Sequence, residues 1–498
     1  MRVWEGLEPE KVFYYFEEIC RIPHGSGNIQ EISDYLVSFA QERKLEHYQD
    51  EIGNVIIIKE ASKGYEDHPA VMLQGHMDMV AVKKPGYDID MEKEGLRIKT
   101  EGDKVYAEGT SLGGDDGIAV AYGLALLDGN YRHPRIELVV TVDEEVGMDG
   151  ARGIDLSPCR ASALINLDSE EEGIFLTGCA GGARVNLGLQ YQEEEKKGVF
   201  CRIKVSGLAG GHSGAEIHKE RGNANCILGR VLARLSTETD FCIASMEGGL
   251  ADNAIPREAE AEIVITGYGG LEKRYHMEEE GFCEKACKEQ IMEKMEAINK
   301  ELCMELAEKD PDVKVEADVS SVEVKACMDK NLSLRMTALL NTIPYGVQAM
   351  SGAMVGLVET SLNLGILSCR KGQFHGGISV RSSYESAKEA LISRLKSLSY
   401  LAGAEVEVTG DYPGWAYRKD SPLRDKMTEV YKEMFHKEPE IQAIHAGLEC
   451  GLFAHKIPDL DCVSIGPDMK NIHTTEEELS ISSTRRVWSF LIRLLEEM

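Results

Sequence analysis

Apolar residues recur at helical spacing over residues 8–22 and again over 29–44, with the turn-forming HGSGN at 24–28 between them. The period then changes. Short apolar runs bounded by turns predict strands at 54–59, 70–74, 136–142 and 163–167. Residues 116–128, rich in alanine and leucine, predict a helix among them. Strands apolar along their whole length, alternating with helices, predict an α/β sheet covered on both faces.

Residues 193–197 are a charged, turn-like EEEKK. A new pattern follows: a strand at 199–205, a glycine-rich turn at 207–214, a helix at 222–235 and further strands to Ile265. A long charged helical segment is expected over about Leu271–Glu308, then another strand–helix–strand stretch to about Arg381. After Ser382 a helix resumes, followed by a strand at 405–409, DYPGW at 411–415 and a closing helix at 484–497. The middle block is expected to be a second, α+β domain inserted into the first. The boundaries expected are 1–197 and 389–498 for the two parts of the first domain, and 198–388 for the insert. Within the insert, two halves of the order strand–helix–strand–strand are faintly alike.

A length of 498 residues suits two such domains, and 43% hydrophobic residues can fill their cores. The 49 glycines are scattered through motif-like loops, which argues against a low-complexity linker. A formal charge of −30 repels phosphate backbones and anionic lipid, so neither nucleic acid nor a membrane is an expected partner. The 13 cysteines are odd in number and form no Cys-x-x-Cys pair; Cys283 and Cys287 fall at helical spacing in a charged stretch. They are expected to be reduced thiols of a cytoplasmic protein. The first residues, MRVWEGLEPEKVFYYFEEI, have no apolar leader, and no run approaches the ~20 apolar residues needed to span a bilayer.

The acidic groups gather where the predicted strands end. His76 and Asp78 follow the second run, Glu144 and Glu145 the third, and Asp168 the fourth. Ligands of open α/β sheets bind outside the carboxyl ends of strands, so this is a site-like pattern. Gly75-His76-Met77-Asp78 is weak by itself: alternation puts His76 and Asp78 on one side of a strand, but a surface strand end explains it as well. In Leu112-Gly-Gly-Asp115-Asp116-Gly117 the glycines permit a tight turn that places a carboxylate at a helix start. Asp115 could there bridge two cations, or merely cap the helix. Asp143-Glu144-Glu145 sets three carboxylates in succession at an apolar strand end, which is unfavourable in a cleft unless cations neutralise them. If the strand's alternation continues, one glutamate can bind metal while the next faces the substrate as a general base. Asp168 and the distant His473 complete five positions that together read as a metal site. Imidazoles and carboxylates without thiolate suit two Zn2+, with Co2+ or Mn2+ as substitutes.

The order His-x-Asp, Gly-x-Asp-Asp-Gly, Asp-Glu-Glu, Asp and a late His resembles the two-zinc exopeptidases that include aminoacylases, carboxypeptidases G and bacterial dipeptidases. TVDEEVGMDGA (141–151), GGHSGAEIH (210–218), NAIPRE (253–258), YPGW (412–415) and HAGLECG (445–451) are similar to its branch of broad-specificity, aminoacyl-histidine dipeptidases, and the likeness covers essentially the whole chain. The resemblance implies an α/β catalytic domain, a mixed sheet flanked by helices, with an inserted α+β lid domain. It implies that His76 and Asp168 hold one zinc, Glu145 and His473 the other, and Asp115 bridges them. Asp78 would orient His76, and Glu144 would be the general base for a metal-bound hydroxide. His212 would stabilise the oxyanion, Asn253 and Arg381 would hold the substrate's free carboxylate, and His445 and Gly447 would line the same pocket. Glu449 is a candidate for the substrate's ammonium group. Two departures stand out: Asn-Ile-His473-Thr-Thr-Glu where His-Ser-Pro is commoner, and Gly-Gly-Asp115 where Gly-Ala-Asp is commoner. The expected activity is zinc-dependent hydrolysis of dipeptides, including Xaa-His. The alternatives are an N-acyl amino acid deacylase or carboxypeptidase of the same superfamily, and a non-catalytic binding protein, which the intact Glu144 disfavours. The expected partner is a dipeptide, and both a monomer and a homodimer remain open.

Overall fold

The computed structural model describes residues 2–269, 274–279 and 281–498. The chain divides into two compact units. The first comprises the residues up to Cys179 with Trp415–Ala443 and Leu448–Met498; the second comprises Ala180–Gly414 with Ile444–Gly447.

The first unit is built on an eight-stranded mixed sheet, in the order Glu46–Gln49, Val55–Lys59, Ile136–Thr141, Val71–His76, Ala163–Asn166, Asp461–Ser464, Ile174–Cys179 and Glu440–Ile444. The strands Ile136–Thr141, Val71–His76, Ala163–Asn166 and Asp461–Ser464 run parallel. Every residue of Val71–His76 and Ile136–Thr141 is buried, as the continuous apolar runs require of strands covered on both faces. The helices Glu10–Cys20 and Gln30–Glu42 match the two expected at the start of the chain. Gly114–Asp128 is apolar on all sides and buried almost throughout, so each large side chain in it contributes roughly 1.5–3 kcal/mol of burial free energy. Its first residues are not helical: Asp115 and Asp116 have φ/ψ of −85°/103° and −118°/29°, joined by a cis peptide bond, so both acids belong to a loop that precedes the core helix. A small sheet of Met469–Lys470, Glu478–Ser480, Lys104–Ala107 and Ile98–Glu101 carries the loop of His473.

The second unit is α+β, with a ten-stranded sheet whose paired strands are antiparallel. Its element order shows strand, helix, strand, strand twice: Glu194–Ser206, Ala224–Ser236, Thr239–Gly248, Ala259–Gly269, and then Lys314–Cys327, Lys330–Thr342, Val358–Arg370, Gln373–Ser382. The boundaries expected at 197/198 and 388/389 fall inside this unit. The reason is hydrogen bonding: Gly181–Gln190 pairs with Gln373–Ser382 on one side and with Glu405–Tyr412 on the other, which keeps all three in the second sheet. The expected turn at 193–197 is the start of the strand Glu194–Ser206, paired with Val324–Cys327. The expected charged helix is shorter, Glu284–Glu305, and Arg274–His276 is a strand. The expected start of that helix at Leu271 lies outside the described residues.

Candidate metal centre

Three parallel strands end at the site. His76 is the last residue of Val71–His76, Asp168 follows Ala163–Asn166, and Asp143-Glu144-Glu145 follows Ile136–Thr141. The alternation expected of Glu144 and Glu145 is absent. Asp143 adopts φ +53°, ending the strand, and Glu144–Gly147 forms a single helical turn. Neighbouring side chains therefore diverge by about 100° rather than 180°. Asp78, fully buried, organises this turn: its carboxylate accepts the Glu144 amide at 3.1 Å and the Ser26 hydroxyl at 2.8 Å.

His76 Nδ1 lies 2.9 Å from the Asp78 carbonyl and 3.5 Å from its carboxylate. Donating there turns Nε2 toward the acids. Nε2 lies 3.1 Å from Asp115 Oδ1 and 3.6 Å from Asp168 Oδ1. At the far end of the chain, His473 Nε2 lies 3.0 Å from Asp115 Oδ2 and 3.0 Å from Glu145 Oε1. One carboxylate thus spans two imidazoles, each flanked by a further carboxylate. The five side chains from which the sequence pattern was read converge on one place in the first unit.

Asp116 joins them. It is fully buried, its Oδ2 accepts the His76 amide at 3.2 Å, and its Oδ1 has no hydrogen-bond partner among the described residues. A Cβ on Gly75 would stand 2.4 Å from Asp116 Oδ2, so glycine there is what lets this acid approach the strand. Two groups have donor atoms close enough to hold a metal ion: His76 with Asp115 and Glu145, and His76 with Asp116 and Asp168.

The electrostatics fit a cation. Burial first, then neighbouring negative charge, pushes Asp168 up to about 6 and Glu170 up to about 7, and raises Glu144 and Asp116 well above the ordinary carboxylate range. Burial alone would lower His76, but its contacts with Asp115, Asp168 and Asp78 carry it well above its usual value. Hydrogen bonds to Asp115 and Glu145 lift His473 to about 10. Burial opposes ionisation of Asp115, yet the two histidines hold it well below the usual range. These shifts are what a local excess of negative charge produces, and divalent cations offset such an excess.

Glu449 corrects an expectation. It is fully buried in the first unit, where Oε2 accepts from Thr141 at 2.7 Å and from Gln74. It underlies the strand ends and is not presented to a substrate ammonium.

The other expected site residues gather in the second unit. Arg381, on Gln373–Ser382, donates to the Tyr412 hydroxyl at 3.4 Å. His445 Nε2 lies 2.7 Å from Ser361 Oγ, and burial followed by the charge of Arg381 lowers its pKa to about 3, so it is neutral. His212 Nδ1 accepts the amides of Gly214 and Ala215 at 3.2 and 3.0 Å, which leaves the ring proton on Nε2. A Cβ on Gly214 would meet the His445 carbonyl at 2.7 Å, His212 Cε1 at 3.1 Å and Arg381 Cζ at 3.2 Å, so this glycine lets the His445 backbone and the His212 and Arg381 side chains converge. Gly447 packs on the Tyr412 ring. The Asn253 side chain is exposed, while its carbonyl accepts the Ser213 amide at 2.8 Å.

Sequence reasoning missed Asp116 and also Glu477, whose carboxylate accepts the amides of Leu112, Gly113 and Gly114 just before Asp115. The doubled aspartate and the acid four residues after His473 were visible, but neither has a meaning until the loops meet.

Residues 72–497 match the family described as peptidase family M20/M25/M40. The chain is 38% identical to the cytosol non-specific dipeptidase of Escherichia coli (strain K12), over 99% of this chain and 98% of that one. A solved structure of the aminoacylhistidine dipeptidase from Vibrio alginolyticus superposes with a TM-score of 0.89 at 33% identity, covering 99% of this chain and 97% of that one. The aminopeptidase PepT from Bacillus cereus shares the fold, with a TM-score of 0.55 at 16% identity over 99% of both chains. The chain belongs to peptidase family M20/M25/M40.

Proposed function

We propose that this protein is a dipeptidase whose first unit holds two divalent cations, zinc in the first instance. The observation that carries the reading is Asp115, with Oδ1 3.1 Å from His76 and Oδ2 3.0 Å from His473. His76 and Asp168 would hold one ion, His473 and Glu145 the other, and Asp115 would bridge them. When bound, the cations would polarise the scissile carbonyl and acidify the attacking water. The likeness to two dipeptidases over nearly the full length of each chain supports the substrate class.

Glu144 is the general base in this proposal. It takes a proton from the attacking water on its carboxylate and delivers it to the leaving amine. Burial raises its pKa, which makes the ionised carboxylate a stronger base toward the attacking water. Asp78 holds His76 and the Glu144 turn in one frame. His212 donates Nε2–H to the developing oxyanion. Arg381 pairs with the substrate's free carboxylate beside the neutral His445, with Asn253 and Gly447 lining the same subsite. All thirteen cysteines are unpaired, which supports a reducing, cytoplasmic setting. Among the described residues, no helix is long and apolar enough to cross a membrane.

The test is hydrolysis of Ala-His, β-Ala-His, N-acetyl-His and Ala-Ala-His by chelated protein, before and after zinc is restored. Zinc-restored cleavage confined to the dipeptides is expected. Cleavage mainly of N-acetyl-His would replace the reading with a deacylase, and zinc-bound protein inactive on all four would overturn it.

A further inference from the structure

We infer that Glu477 is a positioning residue that holds the bridging aspartate in register with the late histidine, and so controls the second cation. The inference rests on the two-cation reading above. Glu477 is 3% exposed and has no cationic partner among the described residues. Its carboxylate instead accepts three consecutive amides of the loop that leads into Asp115. Oε2 takes Leu112 at 2.7 Å and Gly113 at 3.1 Å, and Oε1 takes Gly114 at 2.7 Å. Among the described residues no other acceptor is seen for these three amides, so the carboxylate is what satisfies the loop's donors.

The other side of the clamp is the loop of His473. It leaves Met469–Lys470, passes through left-handed backbone at Asn471 and His473, and returns into Glu478–Ser480. Internal bonds keep it compact: Thr474 Oγ donates to the Asn471 carbonyl at 2.6 Å, and the Glu477 amide donates to the Thr474 carbonyl at 3.3 Å. Glu477 therefore joins two loops far apart in the chain, and the ligands those loops carry meet at 3.0 Å.

The two halves of the centre depend on this clamp unequally. His76 ends a fully buried strand, and its ring is held by the Asp78 carbonyl, which lies on neither of the two clamped loops. His473 is 44% exposed on a loop outside the main sheet. Weakening the clamp should loosen the site of His473, Glu145 and Asp115 and spare that of His76 and Asp168.

The experiment titrates chelated protein with Zn2+ against a chromophoric chelator, alongside thermal unfolding. Wild-type protein should take up two ions. In Glu477→Gln the side chain keeps its size, but its NH2 must face an amide donor. One uptake step should weaken by about 10–100-fold, as loss of a ligand-supporting partner does, while the other changes less than about twofold. His473→Ala should weaken the same step, and the double variant should lose little more than His473→Ala alone. Gly114→Ala approaches the clamp from the other side, because its Cβ would meet Glu477 Oε1 at 3.2 Å and Met469 Sδ at 3.1 Å. It should give a smaller selective loss, and keeps the test alive if Glu477→Gln does not fold. Two unchanged steps with a lowered melting temperature would make Glu477 merely structural and overturn the inference. So would equal weakening of both steps. Wild-type protein that takes up no second ion would instead overturn the two-cation reading itself.

Discussion

Glu449→Gln isolates what a buried acid beneath the site does to the metal-free fold. Glu449 is fully buried; Oε2 accepts from Gln74 and Thr141, and Oε1 has no hydrogen-bond partner among the described residues. Burial first, and then the charges of Asp168 and Asp78, push its carboxyl from 4.5 up to about 7, against the opposing pull of His76 and Thr141. Because the folded value exceeds the unfolded one, the native state binds more protons across this window. Stability contributed by the protonated acid is therefore present below about 4.5 and lost as pH rises through about 7. At about 1.36 kcal/mol per pH unit between the two values, ionised Glu449 costs the metal-free fold up to about 3 kcal/mol near pH 8.

Glutamine keeps the shape, accepts from Gln74 and Thr141 through its carbonyl oxygen, and cannot ionise. The assay is thermal unfolding in excess chelator across this pH range. The variant should match wild type near pH 4.5 and melt about 6 °C higher near pH 8. That shift follows from an unfolding entropy of about 2.1 cal/mol/K per residue over the first unit. Saturating zinc should narrow the gap, because cations offset the neighbouring charge. Parallel curves from acid to alkaline pH would refute the reasoning, since they would mean that Glu449 ionises as easily folded as unfolded.

Glu144→Gln should lower dipeptide turnover by about 10²–10⁴-fold, the usual contribution of a general base, without lowering the stability of chelated protein. Turnover within about twofold of wild type would remove Glu144 from the mechanism. Zinc added to metal-free protein in weakly buffered solution near neutral pH should release protons, because carboxylates raise His76 and His473 above their usual values and coordination needs the neutral rings. A pH electrode reads this directly; His473→Ala should release fewer, and no release would contradict the charge state inferred for the metal-free centre.

What was legible in the sequence was local. The apolar runs expected as strands at 70–74 and 136–142 are Val71–His76 and Ile136–Thr141, buried on both faces, and the acids at their ends formed a site-like pattern before any loop was placed. Positions as distant as Asp115 and His473 were paired by family resemblance, since nothing in either loop points to the other. Glu477 shows the same limit more sharply: its partners are three backbone amides, and backbone amides have no sequence signature. The EEEKK segment misled for a different reason. It lies where Glu194–Ser206 pairs with the outermost strand of the second sheet, and three of its four paired residues, Glu194, Glu195 and Lys197, are exposed. Charge is compatible with strand structure where neither face is buried. The turn at Glu144 escaped because it depends on left-handed Asp143 and on a cap supplied by Asp78, sixty-six residues earlier in the chain.

These features divide the centre into a fixed part and a docked part. His76 and Asp78 are set by the buried strand Val71–His76 and the residues that leave it, so burial of that apolar run positions them directly. His473 has no place in that sheet; its loop reaches the centre from a small sheet and is fastened by Glu477. Asp115 belongs to both parts, with one oxygen toward each histidine. A carboxylate that bridged two cations would need both of its oxygens held, and here one faces His76 on the core strand while the other faces His473 on the loop that also carries Glu477. In the proposed two-cation centre the weight of the Glu477 clamp would therefore fall on the second cation, and the two halves would be held to different tolerances.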